Sequence, residues 1–117
     1  QELKCYALKI GKFGGIQPAL QFVRMANARG MSVWMGGMYD TGISRRVHAA
    51  FQMLPGVVDA GDIGATSRYF DVDVTDPPYT VERGTVTLER RGHEHGLGCA
   101  LDRSALSRVL IDQQTYE

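Results

Sequence analysis

The stretch that decides the fold is Met31-Ser32-Val33-Trp34-Met35-Gly36-Gly37, in which a compact apolar run passes directly into two glycines. A short run of this composition predicts a buried strand rather than a half-exposed one, because a strand with a solvent face would alternate polar and apolar residues. The double glycine ends the strand. The rest of the fold follows from what flanks this strand on either side.

A helix is predicted both before and after this strand. The first helix has apolar residues at spacings of three and four, with Pro18 in its first turn and Gly30 placed to end it. The second helix is closed by Pro55-Gly56, and Asp40 or Thr41 could cap its start. The apolar stripes are Ile16, Ala19, Leu20, Val23 and Ala26 in the first helix, and Ile43, Val47, Ala50, Phe51 and Leu54 in the second.

Two further short strands flank these helices. Cys5 to Ile10 precedes the first helix, and Val57-Val58 begins a segment that ends near Gly61-Asp62. Alternation of strands and helices with brief connections is the signature of parallel α/β structure. Such a small parallel sheet would have open edges and uncovered apolar faces. The pattern is therefore more typical of the end of a larger barrel than of a complete fold.

The second half of the chain changes character. Tyr79 to Glu82 and Thr85 to Glu89 alternate and are rich in β-forming residues, and Arg83-Gly84 lies between them as a turn. This pattern predicts a β-hairpin. A glycine-rich link from Gly92 to Gly98 follows, and Asp102 is placed to cap a final short helix.

Composition argues against several classes of partner. The 117 residues carry 13 basic and 13 acidic side chains, so a net charge of zero gives no reason to expect binding to nucleic acid or to an anionic membrane. No apolar run approaches the roughly 18 residues that a membrane-spanning helix needs. Cys5 and Cys99 lie outside any CxxC or metal-type spacing, so we expect reduced thiols and a cytoplasmic location.

The order of several motifs resembles the C-terminal part of the enolase superfamily. The matching stretches are Leu8 to Gly15, Trp34 to Ile43, Pro55 to Tyr69, and Gly96 through Asp102. Within the muconate-lactonizing-enzyme subgroup, the chain is similar to the group of o-succinylbenzoate synthase and N-succinylamino acid racemase. The resemblance implies an α/β fold in which residues 1–76 supply strands six to eight of a modified TIM barrel. Residues 77–117 would then form a β-hairpin and a segment associated with an α+β capping domain.

The resemblance also implies a reaction, the removal of a proton alpha to a carboxylate by a magnesium-dependent lyase or racemase. The Mg2+ ligands and a first catalytic lysine would lie upstream, outside this chain, so we expect the segment alone to be inactive. The expected partners are a small-molecule carboxylate substrate, the remainder of the same enzyme, and further copies of it in a homo-oligomer.

Five residues receive roles from the resemblance. Lys9, at the end of the sixth barrel strand, would be catalytic: it would act on one face of the alpha carbon in a racemase and stabilise charge in a synthase. Gly36, Gly37 and Met38 would lie against the succinyl end of the substrate through backbone groups, where glycine permits close approach. Asp62 would reach the substrate from strand eight, or would instead cap the following turn. All five lie at the C-terminal ends of predicted strands, where parallel barrels carry their chemistry.

Several alternatives stay open. A dipeptide epimerase or a muconate cycloisomerase would also use two lysines, whereas a mandelate-type enzyme needs a histidine that is absent between Met31 and Met38. A non-enzymatic module could use Gly11 to Gly15 as a phosphate cradle, although the spacing fits neither common phosphate-binding motif. Asp71 with Asp73, and His93-Glu94-His95, are weak metal candidates against a solvated loop and an exposed linker.

Overall fold

The computed structural model describes residues 4–58, 60–88 and 96–115. The elements in these ranges, in chain order, are β1 (Cys5–Leu8), a 3-10 helix (Ile10–Phe13), α1 (Ile16–Asn27), β2 (Ser32–Met35), α2 (Gly42–Gln52), a second 3-10 helix (Thr66–Arg68), β3 (Thr75–Asp76), β4 (Ala100–Leu101) and α3 (Arg103–Val109).

A parallel sheet forms the centre of the first half. β1 and β2 pair in parallel, and β2 is joined on its other side through the parallel bridges Val33–Val57 and Gly36–Asp62. We call the chain between these two bridged positions, Val57 and Asp62, the third parallel segment. The predicted parallel order is therefore present in the described part of the chain, with the last strand reduced to two isolated bridges.

The first strand ends earlier than predicted. β1 stops at Leu8, and the chain then coils into the 3-10 helix Ile10–Phe13. Gly14 follows with a φ of 80°, a left-handed conformation that favours glycine, and its amide donates back to the carbonyl of Ile10. The prediction that the strand continues to Ile10 was wrong, because this glycine-permitted turn closes directly after Lys9.

The hydrophobic core lies between the sheet and the two longer helices. The buried cluster comprises Leu8, Ile10, Ala19, Val23, Ala26, Val33, Met35, Phe51 and Val57. The stripe predicted for α1 is confirmed at Ala19, Val23 and Ala26, while Ile16 at its start is 50% exposed. Burial of such side chains supplies the main stabilising term of the fold.

The apolar stripe predicted for α2 is confirmed in part: Phe51 is buried, and Val47 and Leu54 pack against the core. Arg45, Arg46 and His48 are also buried on this helix, whereas Ile43 and Ala50, both predicted on the apolar stripe, are exposed. Buried polar groups persist only where they find partners or are neutral. The buried face of α2 therefore combines part of the predicted apolar stripe with polar side chains that contact distant loops.

The start of α2 is capped from a distant part of the chain. The Asp73 carboxylate accepts a hydrogen bond from the Gly42 amide at 2.8 Å. Thr41 occupies the N-cap position without a side-chain capping bond, and the Asp40 carboxylate accepts from the Met38 amide instead, at 3.0 Å. The prediction that Asp40 or Thr41 caps α2 was therefore wrong.

The C-terminal half is held by short antiparallel contacts. The predicted turn is present: Glu82 and Thr85 exchange backbone hydrogen bonds around Arg83 and Gly84, which have φ values of 50° and 78°. The predicted arms beyond this bridge are not assigned as strands through residue 88, and Glu89 lies outside the described residues.

The C-terminal half also contains a pair of short strands that was not predicted. β3 and β4 form an antiparallel pair that joins the segment after the second 3-10 helix to the chain just before α3. Asp102 caps α3 as predicted, because its carboxylate accepts from the Ala105 amide at 2.9 Å. No helix in the described ranges is long and apolar enough to span a membrane.

Candidate active site

Lys9 lies directly after β1, with extended backbone angles and a half-buried side chain. Its ammonium donates a hydrogen bond to the backbone carbonyl of Gly37, 2.9 Å away. Because β1 and β2 are parallel, this contact joins the carboxyl ends of both strands. The amine is thereby held at the edge of the sheet where parallel α/β folds place their ligands.

The two glycines after β2 allow the backbones at this edge to approach closely. The Gly36 amide donates to the carbonyl of Leu8 at 2.9 Å, and the Gly37 amide donates to the carbonyl of Asp62 at 2.6 Å. A Cβ atom on Gly37 would lie 2.4 Å from that Asp62 oxygen, and one on Gly36 would lie 3.3 Å from Lys9 side-chain carbons. Gly37 therefore leaves no room for a side chain, and Gly36 leaves little.

The remaining predicted residues lie at the same edge. Asp62 ends the third parallel segment, where its amide donates to the carbonyl of Met35 at 2.8 Å and its side chain is exposed. Met38 follows Gly37 and is 40% exposed. The structure thus brings the predicted residues to the carboxyl ends of the parallel strands; their individual roles remain predictions.

Arg45 is the residue at this edge that sequence reasoning missed. Its side chain is only 1% exposed, and its guanidinium donates to the carbonyls of Asp40 at 2.8 Å, Met38 at 3.2 Å, and Gly64. An arginine in a helix is normally read as a solvated charge, and nothing in the local pattern separates Arg45 from exposed arginines. Only the folded arrangement of the two loops shows that it is buried.

His48 lies on α2 and is buried. Its Nδ1 is 3.7 Å from the Asp40 carboxylate, and within the described residues it has no hydrogen-bond partner. Burial lowers the pKa of His48 below its ordinary value of 6.5; Asp40 opposes this shift, and Arg45 and Lys9 reinforce it. The imidazole is therefore neutral at pH 7.

Asp73, considered above as a metal candidate, instead forms hydrogen bonds that stabilise the fold. Its carboxylate oxygens accept from the amides of Gly42 and Tyr79, both at 2.8 Å. Burial alone would raise the pKa of Asp73, but the Tyr79 and Gly42 amides, together with the nearby Thr66 and Thr75 side chains, hold the pKa below the ordinary value of 3.8. The expectation of a solvated loop holds for Asp71, which is exposed, and was wrong for Asp73.

Other metal or phosphate sites find no support in the described ranges. No group of three or more His, Cys, Asp or Glu side chains is placed there to hold a metal ion, and His93-Glu94-His95 lies outside those ranges. In the Gly11 to Gly15 segment, the amides of Lys12, Gly14 and Gly15 donate to backbone carbonyls of Lys9 and Ile10. These amides are therefore not free to bind a phosphate in this conformation.

Sequence comparison identifies relatives of this chain. The chain is 35% identical over 106 residues to an o-succinylbenzoate synthase from Enterococcus faecalis, an overlap of 91% of this chain and 28% of that protein. It is 36% identical over 70 residues to an N-succinylamino acid racemase from an Amycolatopsis species, covering 60% of this chain and 19% of that protein.

A solved structure shows the same fold. An enolase-superfamily member from Enterococcus faecalis superposes with a TM-score of 0.80 at 33% identity, covering 90% of this chain and 28% of the other. The chain thus spans less than a third of the length of these relatives. The family described as enolase C-terminal domain-like matches residues 1–105, and the chain belongs to that family, within the enolase superfamily.

Proposed function

We propose that this chain forms the C-terminal part of the barrel of a magnesium-dependent enzyme that removes a proton alpha to a carboxylate. The reaction would be that of o-succinylbenzoate synthase, of N-succinylamino acid racemase, or of both. The observation that carries the proposal is the convergence of the Lys9 amine, the Gly36-Gly37 backbone and Asp62 at one edge. The similarity to proteins named for these two activities supports the substrate class.

Lys9 would carry the chemistry that this chain contributes. An amine fixed at a strand end can accept or return a proton on one face of the substrate's alpha carbon, which is its role in the proposed racemase. In the proposed synthase its positive charge would stabilise the negative charge that develops on the substrate. The contact with the Gly37 carbonyl limits where the amine can lie, and this restraint favours one face of the substrate.

The Gly36 to Met38 edge would bind the succinyl end of the substrate through backbone groups. The glycines leave no side chain between the backbone and a ligand, and Met38 offers an exposed apolar surface beside them. Asp62 would contact the substrate from the third parallel segment, where its side chain is exposed. Specificity for a succinylated carboxylate would then come from the shape of this edge.

The described residues do not form a magnesium site by themselves. The Asp40 carboxylate accepts a hydrogen bond from the Met38 amide, and in the described ranges Asp62 belongs to no group of three or more acidic, histidine or cysteine side chains placed to hold a metal ion. Magnesium prefers about six oxygen ligands. We propose that the ligands belong to the remainder of the enzyme, together with the capping domain, with which residues 77–117 would associate. The segment alone would then be inactive, and the whole enzyme would be a homo-oligomer.

The test is turnover by the full-length enzyme that contains this segment. We expect magnesium-dependent conversion of the succinylcyclohexadiene carboxylate, of N-succinylamino acids, or of both. Lys9→Ala should lower kcat by about 10²–10⁴-fold, the usual contribution of a positioned acid or base. Lys4→Ala is the matched control, because Lys4 is exposed just before β1 and should leave kcat unchanged.

Three outcomes would overturn the proposal or the role it gives to Lys9. If the enzyme turned over a dipeptide or a muconate and neither succinylated substrate, it would be a dipeptide epimerase or a muconate cycloisomerase. If Lys9→Ala kept the rate of the unaltered enzyme, the amine would have no part in the reaction. Equal loss in the Lys9 and Lys4 variants would likewise deny Lys9 a specific role.

A further inference from the structure

We propose that Arg45 is a positioning residue of this active site, in an inference that rests on the proposed function. Its guanidinium would hold the loop after β2 against the loop after the third parallel segment, and so fix the edge on which the substrate lies. Arg45 itself is buried, so its guanidinium would not contact the substrate. Its effect would pass entirely through the backbone of the two loops.

The geometry of Arg45 joins the two loops directly. Nε and Nη2 donate to the carbonyls of Asp40 and Met38 in the loop after β2, at 2.8 and 3.2 Å. Nη1 donates to the carbonyl of Gly64, in the loop that follows Asp62. One planar side chain thus makes hydrogen bonds in divergent directions to both loops. Arginine suits this task because its donors are fixed in a rigid fork.

The charge of Arg45 makes this connection hard to break. In the part of the chain that the structure describes, no carboxylate forms an ion pair with Arg45. Its compensation there comes from backbone carbonyl dipoles and from the ring of Tyr69, whose centroid lies 5.4 Å from the guanidinium carbon. A buried charge is costly unless its partners stay in place. If these carbonyls moved, the guanidinium would either become exposed to solvent or keep its charge buried without hydrogen-bond acceptors.

The residues whose carbonyls accept hydrogen bonds from Arg45 lie next to the groups that the reaction would use. Met38 follows Gly37, whose carbonyl accepts a hydrogen bond from the Lys9 ammonium. Gly64 lies two positions after Asp62. A shift of about 1 Å in a positioned active-site group can lower the rate by about 10²-fold. Loosening Arg45 should therefore disturb both the substrate-binding edge and the acceptor of Lys9.

Arg46 provides a matched control on the same helix. It is 3% exposed, as deeply buried as its neighbour, but its guanidinium donates to the carbonyl of Pro77 at 2.9 Å. This hydrogen bond is with the C-terminal half rather than with the strand ends. Substitution of Arg46 should perturb the fold without moving the Gly36 to Met38 edge.

The experiment compares Arg45→Lys with Arg46→Lys in the full-length enzyme. We expect Arg45→Lys to lower kcat/KM for the succinylated substrate by about 10–10²-fold, mainly through a higher KM, because lysine lacks the fork that reaches both loops. Arg46→Lys should leave kcat and KM unchanged. Hydrogen–deuterium exchange should be faster in the Arg45 variant for peptides covering residues 36–41 and 61–66, and unchanged there in the Arg46 variant.

Each result decides the question. Unchanged kinetics and exchange in Arg45→Lys would overturn the proposal, as would equal kinetic losses in both variants. If Arg45→Lys does not fold, Arg45→Gln, which keeps a planar donor without the charge, is tested in the same way. If neither folds, Arg45 supports the fold as a whole and is not a positioning residue. If the unaltered enzyme turns over neither substrate, the proposed function fails, and exchange at the two loops still decides whether Arg45 joins them.

Discussion

The ammonium of Lys9 donates a hydrogen bond to the backbone carbonyl of Gly37, 2.9 Å away, although these residues lie 28 positions apart in the chain. The contact exists because β1 and β2 are parallel and end at the same edge. A lysine amine keeps N–H donors after it loses a proton, so this contact can persist through a proton transfer. The relationship therefore orients the amine without preventing it from acting as an acid or a base.

Gly37→Ala should destabilise the chain and distort this edge. The added Cβ would lie 2.4 Å from the Asp62 carbonyl oxygen, so the backbone pairing must shift. We expect a loss of about 1–3 kcal/mol in the free energy of unfolding, the usual cost of overpacking. Denaturant unfolding at fixed protein concentration measures it. Gly11→Ala is the control, because a Cβ there meets no atom within 4 Å; equal losses in the two variants would contradict the steric explanation.

Asp73→Asn should destabilise the chain by about 1–3 kcal/mol at neutral pH. The two backbone amides bond different carboxylate oxygens, and asparagine replaces one of these oxygens with an NH2 group that cannot accept, so one amide is left unsatisfied. The pKa of Asp73 lies below 3.8 in the folded chain, so its stabilisation is fully present above that pH. It is lost as the pH falls from 3.8 through the folded pKa. The difference between the two proteins should therefore shrink only in acid.

Thermal unfolding of the unaltered chain and the Asp73 variant, at pH 7 and across the acidic range, checks this dependence. Asp71→Asn is the control, because Asp71 is exposed and should change stability little at any pH. A difference between the unaltered chain and the Asp73 variant that stays constant into acid would show that the carboxylate charge does not provide the cap.

His48 should make stability depend on pH in a higher range. Burial lowers its pKa below 6.5, so below pH 6.5 the unfolded chain binds a proton that the folded chain does not. Stability should therefore fall as the pH drops from 6.5 to the folded pKa, and His48→Asn should remove this component. Thermal unfolding between pH 7.5 and 5 is the measurement.

A titration of the imidazole by NMR separates the causes of the His48 shift. Asp40 raises the pKa of His48 against the effect of burial, so Asp40→Asn should lower that pKa further. An unchanged His48 titration in the Asp40 variant would show that the two side chains do not interact in solution.

The isolated chain should self-associate. In the described part of the sheet β1 is paired only with β2, so its other edge is open. Large apolar side chains are also exposed, among them Met53 at 71%. Open strand edges and exposed apolar patches favour association. Light scattering should give a mass above that of one chain, in reducing agent so that a disulfide through the exposed Cys5 cannot cause it. A monodisperse monomer would contradict this prediction.

Local patterns determined most of the secondary structure. The apolar spacing that predicted α1, the compact run that became β2, and the cap at Asp102 depend on neighbours a few residues apart. Such patterns can be read from the sequence because the side-chain periods of helices and strands repeat every few residues. The Gly36-Gly37 pair likewise marked a strand end where backbone approach is close.

What the sequence by itself determined, then, is the order of the parallel α/β elements and the placement of Lys9, the double glycine and Asp62 at strand ends. The tertiary structure alone decided that Asp73 caps α2 from 31 positions away and that Arg45 is buried between two loops. Among the described residues, it also left the last parallel strand with two isolated bridges. Buried charge and long-range capping depend on which loops come into contact in the folded chain. Such contacts between distant segments produce no periodic pattern in the sequence.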